Sequence, residues 1–238
     1  MNSKIRDLGD KIFTNEWSFN NKKIVSKFKQ HINNSIPLYN DGHDIITQIS
    51  KNILSNKSVV TDLGCSLGEL IFKIYNCNSK KNIKYIGIDK SENMIKKALK
   101  LYSNDNFYFY NKDILKYEID KSDLIISYYT LQFLPTNRRI YILKKIYNSL
   151  NKNGAFIYFE KTTVKNKDID KFNLDIYYNF KKKSGYTNKQ ILNKKHLLKG
   201  KIMPLTSEKN IYDLKKSGFK KIGLILKYSY FEGYLCLK

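Results

Sequence analysis

The stretch Ser58–Gly68, which reads SVVTDLGCSLG, decides the fold of this 238-residue chain. Its first half, Ser58–Leu63, is a short run rich in β-branched and aliphatic residues that predicts a strand. Gly64 stops the run, and apolar residues at helical spacing resume from Leu67 to Ile74. Gly64 permits a sharp turn, and Gly68 permits the helix to approach a ligand and the sheet. The stretch therefore predicts strand, glycine turn and helix, with backbone N–H groups exposed to a ligand carboxylate or ribose.

The same alternation continues downstream. A second strand is predicted at 83–88 and ends at Asp89, and Ser91 is a suitable N-cap for a helix over Glu92–Leu101. Further strands are predicted at 107–110, 122–128 and 155–160, with a helix at 138–150 and a turn at 151–154. Strands that alternate with helices in this way form a parallel sheet covered on both faces.

Different patterns flank this core. Residues 1–55 carry charged amphipathic segments, a helix breaker at Pro37 and a helical pattern from Asp44 to Leu54, which together predict an N-terminal helical cap. A Lys-rich, largely helical insertion is predicted over 162–205. A helix at 210–217 follows, and strands at 221–228 and 230–237 are so closely joined that they should be antiparallel.

Five alternating units closed by an antiparallel pair are the order of the class I S-adenosyl-L-methionine (SAM) methyltransferase fold, whereas a dinucleotide dehydrogenase has six parallel strands. We expect an α/β, Rossmann-like fold with a mostly parallel seven-stranded sheet and helices on both faces. The length fits one domain spanning 1–238, with the cap and the insertion as appendages.

Composition narrows the class further. The start of the chain lacks the apolar core of a signal peptide, and no run approaches the roughly 18 apolar residues of a spanning helix, so we expect a cytoplasmic protein without a membrane segment. Cys65, Cys77 and Cys236 have neither disulfide nor zinc spacing, and no metal site is expected. The net charge of +23 leaves two interpretations open, a nucleic-acid surface or a compositional bias toward Lys, Asn, Ile and Tyr.

Three acidic residues at predicted strand ends indicate an adenosyl site. Asp89 can accept hydrogen bonds from both ribose hydroxyls, Asp113 can accept from the adenine amino group, and Asp62 opens the glycine turn. The alternative for each is a capping or solvated loop residue. The turn offers G-C-S-L-G instead of the G-x-G-x-x-G that suits a pyrophosphate, which favours SAM over a dinucleotide.

Aromatic side chains of the predicted cap are candidates to face the sulfonium cation of SAM. They are Trp17, Phe19 and Tyr39. Because 14% of the residues are aromatic, packing is the alternative for each of them.

Several short motifs resemble the carboxy-S-adenosyl-L-methionine (carboxy-SAM) synthase family, in the same order along nearly the whole chain. The shared pieces are WSFN at 17–20, SIPLY at 35–39, DLGCSLG at 62–68, GIDKS at 87–91, TLQFL at 130–134, EK at 160–161, FK at 180–181 and GY at 185–186. The first two pieces and TLQFL are more specific than the glycine turn.

The resemblance implies a homodimer that converts SAM and prephenate to carboxy-SAM and phenylpyruvate. The product would then serve a partner enzyme that carboxymethylates a wobble uridine in tRNA. By the same analogy the cofactor site is lined by Tyr39, Gly64, Cys65, Ser66, Asp89, Lys90, Asp113 and Ile114. Asp62 and Gly68 of the glycine turn complete the expected cofactor-binding set. The enzyme would mainly orient two molecules and exclude water.

Two departures from the family pattern concern the chemistry. Tyr128 and Tyr129 precede TLQFL where the family has an asparagine, so Tyr128 is expected to alter one cofactor contact. The family has a Lys-Arg pair whose arginine reaches across the dimer to the new carboxylate, and here it reads Lys194-Lys195. Lysine keeps the charge and loses the planar grip. Tyr39 and Lys195 are the candidate catalytic residues.

Two rival functions stay open. One is a SAM methyltransferase acting on a small molecule or a nucleoside, which the altered carboxylate clamp favours. The other is a non-catalytic subunit that supports an RNA-modifying partner, which the intact glycine and aspartate positions oppose.

Overall fold

The computed structural model describes residues 22–102 and 104–238, and these form eight strands and eight α-helices. The strands are β1 Val59–Leu63, β2 Lys84–Asp89, β3 Phe107–Asn111, β4 Ser122–Tyr128, β5 Leu150–Thr163, β6 Leu205–Thr206, β7 Lys221–Tyr228 and β8 Phe231–Leu237. The helices are α1 Lys22–Asn33, α2 Tyr39–Ile53, α3 Glu69–Cys77, α4 Glu92–Leu101, α5 Thr136–Ser149, α6 Lys167–Lys183, α7 Asn188–Leu198 and α8 Ser207–Lys216.

Seven of the strands form one sheet in the order β3-β2-β1-β4-β5-β8-β7. Strands β1 to β5 are parallel, and β8 runs antiparallel to both β5 and β7. The predicted seven-stranded, mostly parallel sheet is therefore confirmed. The two-residue strand β6, which pairs with the end of β5, was too short to predict.

Alternation along the strands explains why helices cover both faces. In β4, Leu124 and Ile126 pack in one buried cluster, while the intervening Ile125 packs in another. The first cluster includes Ile46 of α2 with Ile71 and Ile74 of α3, and the second includes Ile142 and Ile146 of α5 with Leu214 of α8. Each strand of the centre thus contributes side chains to two separate cores.

Local signals set several boundaries. The Ser91 hydroxyl accepts a hydrogen bond from the backbone N–H of Met94 at 3.3 Å, so the predicted cap of α4 is confirmed. The described part of the cap, from residue 22 onward, contains two helices interrupted around Pro37, and α2 begins at Tyr39, earlier than the predicted Asp44. Apolar spacing marks only the buried face of a helix, so its polar first turn was missed.

The turn predicted at 151–154 is wrong. Strand β5 already begins at Leu150, and its register against β4 shifts between Ser122 and Leu124. Asn153 has a φ of 64°, which marks an irregularity inside the strand. The Asn and Gly residues that suggested a turn instead form a bulge, because pairing with β4 continues on both sides of it.

Helices α6 and α7 fill the predicted insertion between β5 and β6. The Asn166 side chain caps α6, and Thr187 and Gln190 form a reciprocal capping box at α7. The insertion returns to the core at Met203, whose backbone N–H donates to the Gln132 carbonyl at 2.9 Å. Within the described ranges, no helix has the length and apolar character needed to cross a bilayer.

Candidate functional site

The glycine turn after β1 is held by its own backbone. The N–H groups of Gly64 and Cys65 both donate to the Ile88 carbonyl, at 2.7 and 3.0 Å, and the Ser66 N–H donates to Asp89 at 3.0 Å. For these three N–H groups the expected exposure to a ligand is not observed, because each has an acceptor within the chain. The turn's function in the structure is to join the ends of β1 and β2 and to fix an acidic side chain beside them.

Gly64 is required by both conformation and space. Its φ is 86°, and a Cβ at this position would lie 2.2 Å from the Thr130 hydroxyl oxygen. Gly68, with a φ of 75°, packs against Phe109 and Tyr102 and is not among the residues that line the cavity described below. Its close approach is thus to Phe109 of β3 and to Tyr102 after α4, and its expected approach to a ligand stays a prediction.

Asp89 has an oriented carboxylate. One oxygen accepts from the Ser66 N–H at 3.0 Å and the other accepts from the Ser91 N–H at 2.8 Å. Burial raises the pKa of this carboxyl, and the hydrogen bonds from Ser91 and Ser66 oppose that effect. Each oxygen keeps a lone pair for another donor, as contact with a pair of ribose hydroxyls requires.

Asp62 is 2% exposed, and its Oδ1 has no hydrogen-bond partner among the described residues. Burial, with a smaller contribution from the nearby Asp89, raises the pKa of Asp62 to about 8. A buried acid without a partner is costly. A cationic ligand beside Asp62 would lower that cost, so the residue fits a SAM molecule with its sulfonium and ammonium groups.

Three aromatic rings lie together in the cavity that Asp62 also lines. Tyr39, His43 and Tyr128 have ring centroids 4.7 to 5.0 Å apart, and the Tyr128 hydroxyl donates to the Tyr39 carbonyl at 2.6 Å. Burial raises the pKa of both tyrosines and lowers that of His43 to about 3, so all three rings are neutral at pH 7. Neutral aromatic faces suit a sulfonium cation.

Tyr39 and Tyr128 were predicted here from the sequence, and His43 was missed. A signal existed, since His43 follows Tyr39 by four positions and therefore shares its helix face. The other two aromatic candidates, Trp17 and Phe19, lie outside the described residues.

A cavity of about 1200 Å³ connects these groups. Its walls include nearly all the predicted cofactor residues, namely Tyr39, Asp62, Gly64, Cys65, Ser66, Asp89, Lys90, Asp113, Ile114 and Tyr128. One oxygen of Asp113 accepts from the Leu115 N–H at 2.9 Å, which leaves the other available to a ligand. The volume exceeds what a single drug-sized ligand commonly needs, so a second small molecule can enter.

The opposite part of the cavity is basic and is built by the insertion. Lys194 is 6% exposed and its ammonium contacts the His31 ring at 3.1 Å and the Ser35 hydroxyl. These contacts fold α7 back onto the cap, so that Lys194, Lys195 and His196 line the cavity of their own chain. The resemblance had associated this segment with a neighbouring site.

Lys161 completes the basic part and was not predicted as a site residue. It follows the buried portion of β5 at the carboxyl end of the strand, where ligands of parallel sheets bind. Its position near the end of a strand could have identified Lys161 as a site residue, but from the sequence this criterion was applied only to the aspartates.

The comparisons with known proteins agree with this geometry. A methyltransferase-domain family model matches residues 54–212. The structure of human N-acetylserotonin methyltransferase in complex with SAM is similar with a TM-score of 0.60, at 14% identity and covering 98% of this chain and 59% of that one. A SAM-dependent methyltransferase structure from Methanococcus maripaludis, itself assigned only provisionally, has a TM-score of 0.58 at 19% identity, covering 93% and 94%. The fold is that of the class I SAM-dependent methyltransferases.

Two curated relatives are more specific. The carboxy-SAM synthase of Nautilia profundicola is 35% identical over 219 residues, which cover 91% of this chain and 93% of that protein. The synthase of Staphylococcus epidermidis is 31% identical over 223 residues, covering 94% and 97%. The chain belongs to the carboxy-SAM synthase family. It is a SAM-dependent transferase, with SAM as its cofactor or substrate.

Proposed function

We propose that this enzyme converts SAM and prephenate to carboxy-SAM, phenylpyruvate and water. The observation that carries the proposal is a single cavity with an acidic, aromatic part that suits a sulfonium and a lysine-rich part that suits a carboxylate. The carboxyl group moves from prephenate to the SAM methyl carbon. The methyl proton and the ring hydroxyl group leave together as water while the ring becomes aromatic.

In this proposal the chain's own residues bind and orient the two molecules. Asp89 and Asp113 bind the adenosine of SAM, and Asp62 and the three aromatic rings face its sulfonium cation. The lysine-rich part of the cavity binds prephenate. Helices α1, α6 and α7 contribute to the walls and exclude water. Positioning two reactants in this way can supply a large part of a rate enhancement.

The test incubates the purified enzyme with SAM and prephenate and follows phenylpyruvate together with the mass of the SAM-derived product. We expect both products, the second heavier than SAM by one carbon dioxide. Native mass spectrometry of the purified protein offers a check without substrate, because carboxy-SAM can copurify. If neither product forms and a methyl group is transferred to a nucleoside or a small molecule, the rival methyltransferase function replaces this one. The lysine at 195 is the feature that favours that rival.

We further propose a homodimer. The outer face of α6 exposes Ile169, Phe172 and Ile176, at 53%, 68% and 45%, and their spacing places them on one side of the helix. A second copy of the chain would cover this stripe. Light scattering should give a dimer for the wild type and a monomer for Phe172→Lys, whereas Tyr141→Lys, which changes another exposed aromatic residue, on α5, should remain dimeric.

The expected use of the product extends the proposal to RNA. Carboxy-SAM would supply the carboxymethyl group to a partner enzyme that modifies a wobble uridine in tRNA. Loss of that nucleoside from cellular tRNA after deletion of the gene, measured by mass spectrometry, tests this link. Unchanged tRNA in a strain without carboxy-SAM would contradict it.

A further inference from the structure

Lys161 lies in the cavity wall and packs against two tyrosine rings. Its ammonium lies 4.8 Å from the ring centroid of Tyr177 and 5.4 Å from that of Tyr230. The Tyr177 hydroxyl donates to the Ser35 carbonyl at 3.1 Å, and the Tyr230 hydroxyl donates to Asp170 at 2.7 Å. Hydrogen bonds thus orient both rings, and the ammonium lies over them.

The charged groups around Lys161 are mostly positive. Lys195 of α7 lines the same cavity and its charge acts on Lys161, and the ammonium of Lys181 lies 4.5 Å from the same Tyr177 ring. Asp170 on α6 is the acid that opposes them, and no carboxylate among the described residues forms an ion pair with Lys161. The preceding acid, Glu160, is fully buried and lies 3.9 Å from Arg139 instead.

We propose that Lys161 and Lys195 together form a two-ammonium site that binds a carboxylate of the co-substrate, with Lys161 as a further specificity-determining residue. The inference rests on the proposed function in taking that co-substrate to be a dicarboxylic acid. One lysine provides a point charge; in this proposal the two lysines, one on β5 and one on α7, each contact the carboxylate and together replace the two contacts that a single arginine makes.

The electrostatics give the site a pH dependence. Burial, and then the charge of Lys195, lower the pKa of Lys161 to about 8. The ammonium is charged below that pKa and loses its proton as the pH rises through it, so carboxylate affinity should fall above about pH 8. Removing the Lys195 charge should raise the pKa of Lys161 and move the decline to higher pH, although affinity at neutral pH falls.

The experiment measures binding of malonate, a small dicarboxylate that cannot react, by calorimetry on the full-length protein across this pH range. Lys161→Met retains the aliphatic stem against the tyrosines and removes the charge. We expect it to weaken malonate binding about tenfold or more. Lys189→Met on the exposed start of α7 is the matched control and should bind malonate as the wild type does.

Unchanged malonate affinity in a folded Lys161→Met protein that still binds SAM would overturn the inference. If that variant does not fold, the test is the pH dependence of malonate affinity, which should decline near pH 8 in the wild type and at higher pH in Lys195→Gln. A malonate affinity that does not change with pH would also overturn the inference. The proposed function can fail independently of this site. If malonate binding depends on the lysines but no phenylpyruvate forms, carboxyl transfer from prephenate is contradicted and the two-lysine site stands. Turnover with an unchanged prephenate KM in Lys161→Met removes the site and retains the function.

Discussion

The side-chain oxygen of Gln132 accepts a hydrogen bond from the backbone N–H of Lys161 at 3.0 Å. The same buried glutamine donates to the Tyr129 carbonyl at 3.0 Å, and its own carbonyl accepts from Met203. Arg139, which is 1% exposed, also donates to the carbonyls of Gln132 and Met203. The loop after β4, the end of β5 and the end of the insertion thus share one buried connection. This connection fixes the acidic and the basic part of the cavity relative to each other.

Replacing Asp89 by Ala should weaken SAM binding by about 1.5–3 kcal/mol, the usual range for hydrogen bonds to a charged group. The carboxylate is already oriented by Ser66 and Ser91, so the ligand gains its contacts without ordering the side chain. Calorimetric titration with SAM measures the effect. Asp105→Ala, at an exposed position before β3, is the control and should bind normally. An unchanged SAM affinity in Asp89→Ala removes this residue from the site.

SAM affinity should increase with pH as Asp62 ionises. The pKa of Asp62 is raised to about 8 in the ligand-free chain, so the side chain is mostly protonated at pH 7. A cation beside it favours the ionised form, and binding should therefore release a proton below pH 8. Calorimetry in buffers of different ionisation enthalpy counts that proton. In Asp62→Asn the released proton should be absent, and its persistence would assign the effect to another group.

Gly64→Ala should destabilise the fold more than a left-handed backbone alone explains. Gly200 also has a positive φ, of 74°, and a methyl group added there would have nothing within 4 Å, so alanine should cost about 1–2 kcal/mol. At Gly64 the new methyl group meets Thr130 in addition. Chemical denaturation of Gly64→Ala and Gly200→Ala separates the cost of the left-handed backbone from the cost of the clash with Thr130. Equal losses of unfolding free energy would show that the turn can move away from Thr130.

The extent to which sequence predicted the fold follows from the range of the interactions involved. Strand β4 and helix α4 were located to the residue, because a short apolar run and a serine cap are local signals. The bulge at 151–154 was missed because Asn and Gly describe a local preference for turning, while pairing with β4 is a long-range interaction. Propensity cannot reveal which strand will lie alongside.

The site residues also separate into those that local sequence signals predicted and those that depend on long-range contacts. Aspartates that end strands could be predicted because ligands generally bind at the carboxyl edge of a parallel sheet, and Asp62, Asp89 and Asp113 do line the cavity. The contact of Lys194 with His31 joins positions far apart in the chain, so no spacing announces it. The internal hydrogen bonds of the glycine turn were also hidden, because a motif specifies where a backbone bends and leaves its donors' partners undefined.

Lys195→Arg should preserve or increase carboxy-SAM formation, and Lys195→Ala should abolish tight binding of the carboxylated product. An ammonium in the cavity wall supplies charge complementarity to the new carboxylate, and a guanidinium adds a planar two-point contact. Loss of a charged contact of this kind weakens binding about tenfold to a hundredfold. The measurement is phenylpyruvate formation from SAM and prephenate, together with calorimetry of carboxy-SAM. Lys189→Ala, on the exposed start of the same helix, controls for a general change in α7 and should retain wild-type rates. A Lys195→Ala enzyme that binds carboxy-SAM as tightly as SAM would show that the carboxylate lies elsewhere in the cavity, and the substitution of lysine for the family's arginine would then have no bearing on the reaction.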